Sequence, residues 1–459
     1  MPDVMLARRS SVPVGADLRA AAGRNPMSRT PGVYGRRAGT WAFEVLLIAF
    51  MVLFTLQGSI PLPDWMPQLV RILGIVLVLA ALHLRAATRT PFRIELRLLV
   101  LWLLWSLATG VFASDSGAVL RTLQLVVQEV ALFFAVAQYV ETKRGGAFVF
   151  GFLLAGALAL GIHGLTSGGS AEVAAVTRVR VTSVYANPNA LGIACVYGMF
   201  GVGYLLYNSN TGRFRPWIVP VIPLLVAAQL RTGARLSLVG IAVYALAWVA
   251  FTLRGIRIGA QRALVVGALA LSVVYVGRNP SIATSVAVQR LRSTHLSQKE
   301  GDRDQLYVAG WRAFLASPVY GVGLGNFALT YGEGAYTHSD FMEVLASTGL
   351  VGFGLYMAIY VLLWRRLNRC QARSRGSSAE VVYRLGSYKA ALVGFLFLSI
   401  GNPNFLYPPA WVVLGAIVGH SHVVEESTRH GSVNIVPRGR CAERPLRATG
   451  VDCPAGGYV

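Results

Sequence analysis

Twelve apolar runs follow one another along this chain, and they leave little room for anything but a bundle of membrane-crossing helices. They lie near residues 41–60, 66–84, 96–113, 119–140, 147–165, 189–207, 216–230, 236–253, 261–277, 342–364, 386–400 and 405–420. A helix rising 1.5 Å per residue needs about 20 apolar residues to cross about 30 Å of hydrocarbon. The seventh run is short and holds Pro220 and Pro223, which predicts a kinked helix. Charged residues make up 14% of the chain against 54% hydrophobic ones, too few for the surface of a soluble domain. The expectation is an all-α integral membrane protein of about 12 transmembrane helices.

A net charge of +22 would suit a nucleic-acid binder if it were gathered in one basic patch. It is not. With the N-terminus inside and the runs alternating, the inner face receives Arg8, Arg9, Arg19, Arg24, Arg29, Arg36 and Arg37. It also receives the loops from Arg85 to Arg97, Lys143-Arg144, Arg213 to Arg215, Arg254 to Arg262 and Arg365 to Lys389, and the tail after Arg429. The outer connections are nearly balanced in sign. This is the positive-inside bias, which sets orientation and touches anionic lipid heads. It argues against a nucleic-acid partner and for a lipid bilayer, with both termini cytoplasmic in a multi-pass protein of the cytoplasmic membrane.

Composition divides the chain into three parts. Residues 1–40 are rich in Arg, Gly, Pro and Ser without periodicity, and read as a disordered cytoplasmic tail. Residues 41–424 form the membrane domain, and 425–459 a second cytoplasmic tail. Most outer connections are short. Two are not: one runs from about 166 to 188, the other from about 278 to 341. The second is the one large extracytoplasmic loop, and long loops in compact proteins are usually functional or disordered. Within it, 302–315 reads as a helix with Tyr307, Trp311 and Phe314 on one interfacial face, capped by Asp302 or Asp304.

Three motifs fall at the outer ends of these runs. Tyr185-Ala-Asn-Pro-Asn189 opens the sixth. Asn187 and Asn189 either cap a helix start or face an anion or a sugar there. Asn402-Pro-Asn404 stands before the last run and reads mainly as a second cap. Arg231 and Arg235 straddle the end of the seventh run and the start of the eighth. Either they reach for lipid phosphates, or their planar forks hold a phosphate of a substrate. Arg303 adds a third guanidinium in the large loop. His338 lies just before the tenth run, followed by Asp340 and Glu343, and an imidazole there accepts a proton near neutral pH. Asp340 and Glu343 either orient it or act in its place. Gly321-Val-Gly-Leu-Gly325 is either a phosphate cradle or a tight turn. Cys195, Cys370, Cys441 and Cys453 lack metal-ligand spacing, and no metal or cofactor is expected.

Taken together, these pieces resemble the O-antigen ligase and O-antigen polymerase superfamily of bacterial envelope enzymes. The resemblance rests on Tyr185 to Asn189, Thr232-Gly-Ala-Arg235, Arg303 ahead of Pro318-Val-Tyr-Gly-Val-Gly-Leu-Gly-Asn-Phe327, and His338 followed by Glu343 to Gly352. It implies about a dozen spans, a helical periplasmic loop, and transfer of a glycan from undecaprenyl diphosphate to an acceptor hydroxyl without metal or nucleotide sugar. The acceptor is a glycan, a lipid or a protein. Carried over by the resemblance, Arg235 and Arg303, with Arg231, bind the diphosphate, and His338 deprotonates the acceptor. Asn187, Asn189, Asp340 and Glu343 are supporting or acceptor-side residues. Ser339, Tyr307 and Ala234 depart from the residues usual in the family. A polymerase of the same superfamily is the nearest alternative reading. A polysaccharide transporter or flippase is the alternative from another class, and it would place its ionisable groups at the bilayer midplane.

Overall fold

The computed structural model describes residues 37–57, 65–88, 93–140, 145–166, 172–174, 178–180, 188–206, 215–252, 267, 298–331, 336–374 and 379–429. Among these, helices dominate. They are α1 (Arg37–Gln57), α2 (Met66–Thr88), α3 (Arg93–Ala108), α4 (Ser116–Val140), α5 (Gly145–Thr166), α6 (Pro188–Leu205), α7 (Arg215–Ile218), α8 (Val221–Thr232), α9 (Arg235–Thr252), α10 (Gln298–Ala316), α11 (Phe327–Thr330), α12 (Asp340–Arg373), α13 (Ala379–Ser399) and α14 (Pro408–Arg429). One departure from an all-helical chain lies in the 166–188 connection. There β1 (Glu172–Ala174) and β2 (Arg178–Arg180) pair antiparallel, Val173 opposite Val179.

Among the described residues, six helical segments are long and apolar enough to cross a membrane, so the twelve expected from the runs are matched only in part. They are Ile94–Val111, Ser116–Val140, Gly145–Thr166, Arg235–Thr252, Asp340–Arg373 and Ala379–Ser399. Four of the other runs form shorter apolar helices, at Trp41–Leu53, Gln68–His83, Asn189–Leu205 and Pro216–Thr232. The seventh run is broken as its prolines require: α7 ends at Ile218, and α8 restarts after Pro220. The last run is helical in α14. The ninth, 261–277, lies outside the described residues except for residue 267. So do residues 1–36 and 430–459, which hold most of the two expected tails, and residues 278–297 and 332–335 of the large loop.

One continuous apolar core joins the bundle, with Trp102, Tyr139, Tyr197, Tyr356, Tyr383 and Phe395 all under 2% exposed. Outside it, Ile72, Ile75, Leu79, Leu101, Leu104 and Leu246 are exposed, as a lipid-facing surface requires. Close approaches need small residues. On α14, Gly415 and Gly419 lie one turn apart against α4. A Cβ at Gly415 would stand 2.6 Å from the Phe133 carbonyl oxygen, and one at Gly419 would stand 2.1 Å from that of Ala137.

The tenth run holds the main surprise of the fold. Its helix, α12, has 34 residues, which at 1.5 Å each is about 51 Å, far longer than a bilayer core. It is not one rod. Gly349 has φ +66° and ψ −169°, so the helix breaks there. The Tyr356 hydroxyl donates to Asp340 Oδ2 at 2.6 Å. In a straight helix, residues sixteen apart stand about 24 Å apart, beyond the reach of those two side chains. The first arm, 340–348, therefore folds back along the second, 350–373.

The break leaves carbonyls without helical partners, and the glycine loop before it supplies donors. Val322 N–H donates to the Ala346 carbonyl (3.0 Å), Gly323 N–H to that of Ser347 (2.9 Å) and Trp105 Nε1 to that of Thr348 (2.9 Å). Leu350 N–H returns the favour to Pro318 O (2.8 Å). Gly321, Gly323 and Gly325 all take positive φ. The Gly-x-Gly-x-Gly loop is thus a clamp on a helix break, and its amides at 321, 322 and 323 are used inside the protein.

Candidate active site

His338 sits in a turn built to hold it. Its φ is +58°, the only positive value among described non-glycine residues. An L-residue there costs about 1–3 kcal/mol and needs neighbours to enforce it. Thr337 Oγ1 donates to the Ser339 carbonyl (2.9 Å) and accepts from its N–H (3.3 Å). The Glu343 carboxylate accepts the Thr337 N–H (2.8 Å). Ser339 caps α12, its hydroxyl accepting from Met342 N–H (3.4 Å). Glu343 and Asp340 are both buried. Their oxygens serve the turn, the Tyr356 hydroxyl and the Phe405 N–H (2.9 Å).

Arg303 lies one helical turn before Tyr307 on α10. That helix begins at Gln298, a turn earlier than the sequence suggested, so Asp302 and Asp304 lie inside it rather than at its cap. The Arg303 charge reaches His338. Burial first, and Arg303 second, push the His338 imidazole down to about 4. At neutral pH it is the unprotonated base. The Tyr336 ring lies tilted 4.7 Å from the His338 ring, and burial raises its phenol while Arg303 pulls it back. No carboxylate ion-pairs with Arg303 among the described residues.

Arg235 occupies the first turn of α9. The α8–α9 turn is tight, with Gly233 at φ +68°. Gln229 Nε2 donates to the Ala234 carbonyl (2.9 Å), and Ala234 N–H donates to Thr232 Oγ1 (3.1 Å). A cation at a helix N-terminus opposes the macrodipole at about 0.3–1 kcal/mol, so this position is not chosen for the helix. Arg235 is half-buried, whereas Arg231, in the last turn of α8, is exposed. The next residue, Leu236, packs on Gly401, where an added Cβ would meet its Cδ2 at 2.9 Å. One residue before that, the Ile400 carbonyl accepts from the Tyr307 hydroxyl (3.3 Å). The segments that carry Arg235 and Arg303 thus both touch the 400–401 turn, through Leu236 and Tyr307. Asn189 lies half-buried in the first turn of α6, one turn from Gly192, which packs on Ser237, Gln229 and Ala234. Asn187 lies outside the described residues.

The sequence did not single out Asn326. Its buried side chain accepts from Ser114 Oγ (2.9 Å) and Asp115 N–H (2.8 Å), and donates to Asp115 O (2.9 Å), so it ties the α3–α4 turn to the glycine loop. Nor did it single out Tyr356. Both are ordinary residues of apolar or glycine-rich stretches, and their roles depend on partners more than 15 positions away.

A helical bundle of this apolarity, with six helices long enough to cross a bilayer among the described residues, marks a polytopic membrane protein. Residues 220–357 match the family described as O-Antigen ligase. The match contains Arg231, Arg235, Arg303, His338, Asp340 and Glu343. No curated protein matches the chain.

Proposed function

We propose that this protein transfers a glycan from undecaprenyl diphosphate to an acceptor hydroxyl at the outer face of a bacterial cytoplasmic membrane, in the manner of an O-antigen ligase. The observation that carries the reading is the Arg303 charge acting on a neutral His338, with the Arg235 turn docked on the same 400–401 segment as the Arg303 helix. A glycosyl diphosphate already has a leaving group. What resists its departure is negative charge developing on the diphosphate as the C1–O bond breaks. Guanidinium forks held in a partly dry site meet that charge. The acceptor oxygen bonds to C1 from the opposite face of an oxocarbenium-like centre, and its proton passes to the His338 imidazole, so the product is inverted.

The test is transfer from extracted lipid-linked glycan by purified protein. Arg235→Ala, Arg303→Ala and His338→Ala should each lose about 10²-fold or more in rate, while the protein still inserts and elutes as folded. Arg303→Lys keeps charge but not the two-pronged fork, and should stay impaired. Full activity in all three alanine variants would remove the proposal.

A further inference from the structure

The second Asn-Pro-Asn motif read as a helix cap, and the matched family segment ends more than 40 residues before it. Its surroundings show more than capping. Asn402 Nδ2 donates to Asn404 Oδ1 (2.9 Å), and Asn404 Nδ2 donates to Ser399 Oγ (2.9 Å) and to the Phe395 carbonyl (3.4 Å). Ser399 and Asn404 are fully buried. This rigid turn then touches a neighbour of each proposed site residue. Phe405 N–H donates to Asp340 Oδ1 (2.9 Å), two residues after His338. The Ile400 carbonyl accepts from Tyr307, one turn after Arg303. Gly401 lies under Leu236, next to Arg235. Ser399 also hydrogen-bonds Asp340.

We infer that the 399–405 turn registers the three site-bearing segments against one another, with Asp340 as the positioning residue that fixes the His338 turn to it. This rests on the reading of Arg235, Arg303 and His338 given above. Three segments distant in sequence, each set on its own element, have no direct covalent reason to share a geometry. A common turn, stiffened by its own side-chain hydrogen bonds, supplies one. Asp340 is held from two sides, by the Phe405 N–H and by Tyr356 on the second arm of α12. The His338 turn therefore cannot shift without breaking one of these bonds. Misplacement of reacting groups by about 1 Å costs about 10²-fold in rate, so loss of this contact should appear in turnover rather than in donor binding.

The experiment compares Asp340→Ala, Asp340→Asn, Tyr307→Phe and Leu236→Ala, with kcat and KM for extracted lipid-linked glycan measured per folded protein. Size-exclusion and thermal melting in detergent give the folded fraction. Asp340→Ala should lower kcat by about tenfold to a hundredfold with donor KM nearly unchanged. Asp340→Asn, which keeps an acceptor for Phe405 N–H, should recover most of that. Tyr307→Phe combined with Asp340→Ala should lose less than the product of the two single losses, because both act through one turn. Should Asp340→Ala fail to fold, Tyr307→Phe and Leu236→Ala carry the same kcat test. Unchanged kcat in all of them, or Asp340→Asn as impaired as Asp340→Ala, overturns the inference. If these variants are unimpaired while His338→Ala is inactive, the turn fails and the site reading stands. If His338→Ala is fully active, the site reading itself fails.

Discussion

At the scale of single residues, the site combines groups that the chain would not choose for stability. His338 takes a left-handed backbone, Arg235 opposes a helix dipole, and Arg303 acts on an imidazole with no carboxylate ion-paired to it among the described residues. The histidine gives a testable pH signature. Burial and Arg303 hold it down to about 4 in the free protein, so its neutral form dominates above that pH and is lost as pH falls through it. A bound diphosphate would offset the Arg303 charge and raise the imidazole. The acid limb of kcat/KM, which reports the free enzyme, should therefore lie near 4, and that of kcat, which reports the complex, at higher pH. If the cation, rather than burial, set it, Arg303→Gln would return the kcat/KM limb to the ordinary imidazole range. Since burial is the larger cause, the expected change is a modest rise of the kcat/KM limb in that variant. The sequence placed His338, Arg235 and Arg303 on one side of the membrane but read the histidine as titrating near neutrality. Burial of the 336–340 turn depends on α10 and α12 packing together, which no local pattern announces.

At the scale of elements, the broken helix α12 joins the His338 turn to the glycine loop. Its first arm carries the His338 turn at one end, and its break holds the glycine loop at the other. Gly349 has a backbone conformation open essentially only to glycine, and a Cβ there would stand 2.3 Å from the Val319 carbonyl oxygen. Gly349→Ala should therefore cost well over the about 1 kcal/mol of an ordinary helix glycine change, and most of the protein should be lost from the folded peak on size exclusion. Gly354→Ala, on the same helix with open space around it, is the control and should be neutral or slightly stabilising. The sequence read 342–364 as one span because its hydropathy is continuous across the break. The left-handed turn at 349 depends on carbonyl partners from residues 318–323, and those are visible only once the loop is folded onto the helix. By contrast, the interruption between α7 and α8 was legible, because proline breaks a helix by its own chemistry.

At the scale of the whole molecule, the helices are joined at both ends by different kinds of contact. At the end away from the site, Arg366 ion-pairs with Glu95, lies 3.6 Å from Glu425 Oε2, and meets His422 Nε2 at 2.9 Å. Arg373 adds a second contact to Glu425 at 3.2 Å. These groups link α3, α12 and α14 in a buried network. Removing one member leaves buried charge uncompensated, so Arg366→Leu should destabilise by about 3–5 kcal/mol and lower the melting midpoint in detergent, while Arg373→Leu, half-exposed, should cost much less. The sequence counted Arg365 and Arg366 only as part of the inner-face charge excess. The positive-inside pattern tells which face a residue meets, but not whether it lies in water or in a buried network. The helical class and the membrane setting were legible because hydropathy records them directly. Helix ends and breaks were less legible, because they are set by packing.

The second arm of α12 is therefore fastened at both of its ends, to Asp340 through Tyr356 near one and to Glu95 and Glu425 through Arg366 near the other. A strut anchored in this way cannot slide relative to its neighbours when acyl chains shorten or lengthen. The bundle must meet a thinner or thicker bilayer by leaning as one body, and the histidine turn would keep its depth relative to the protein while changing its depth relative to the lipid.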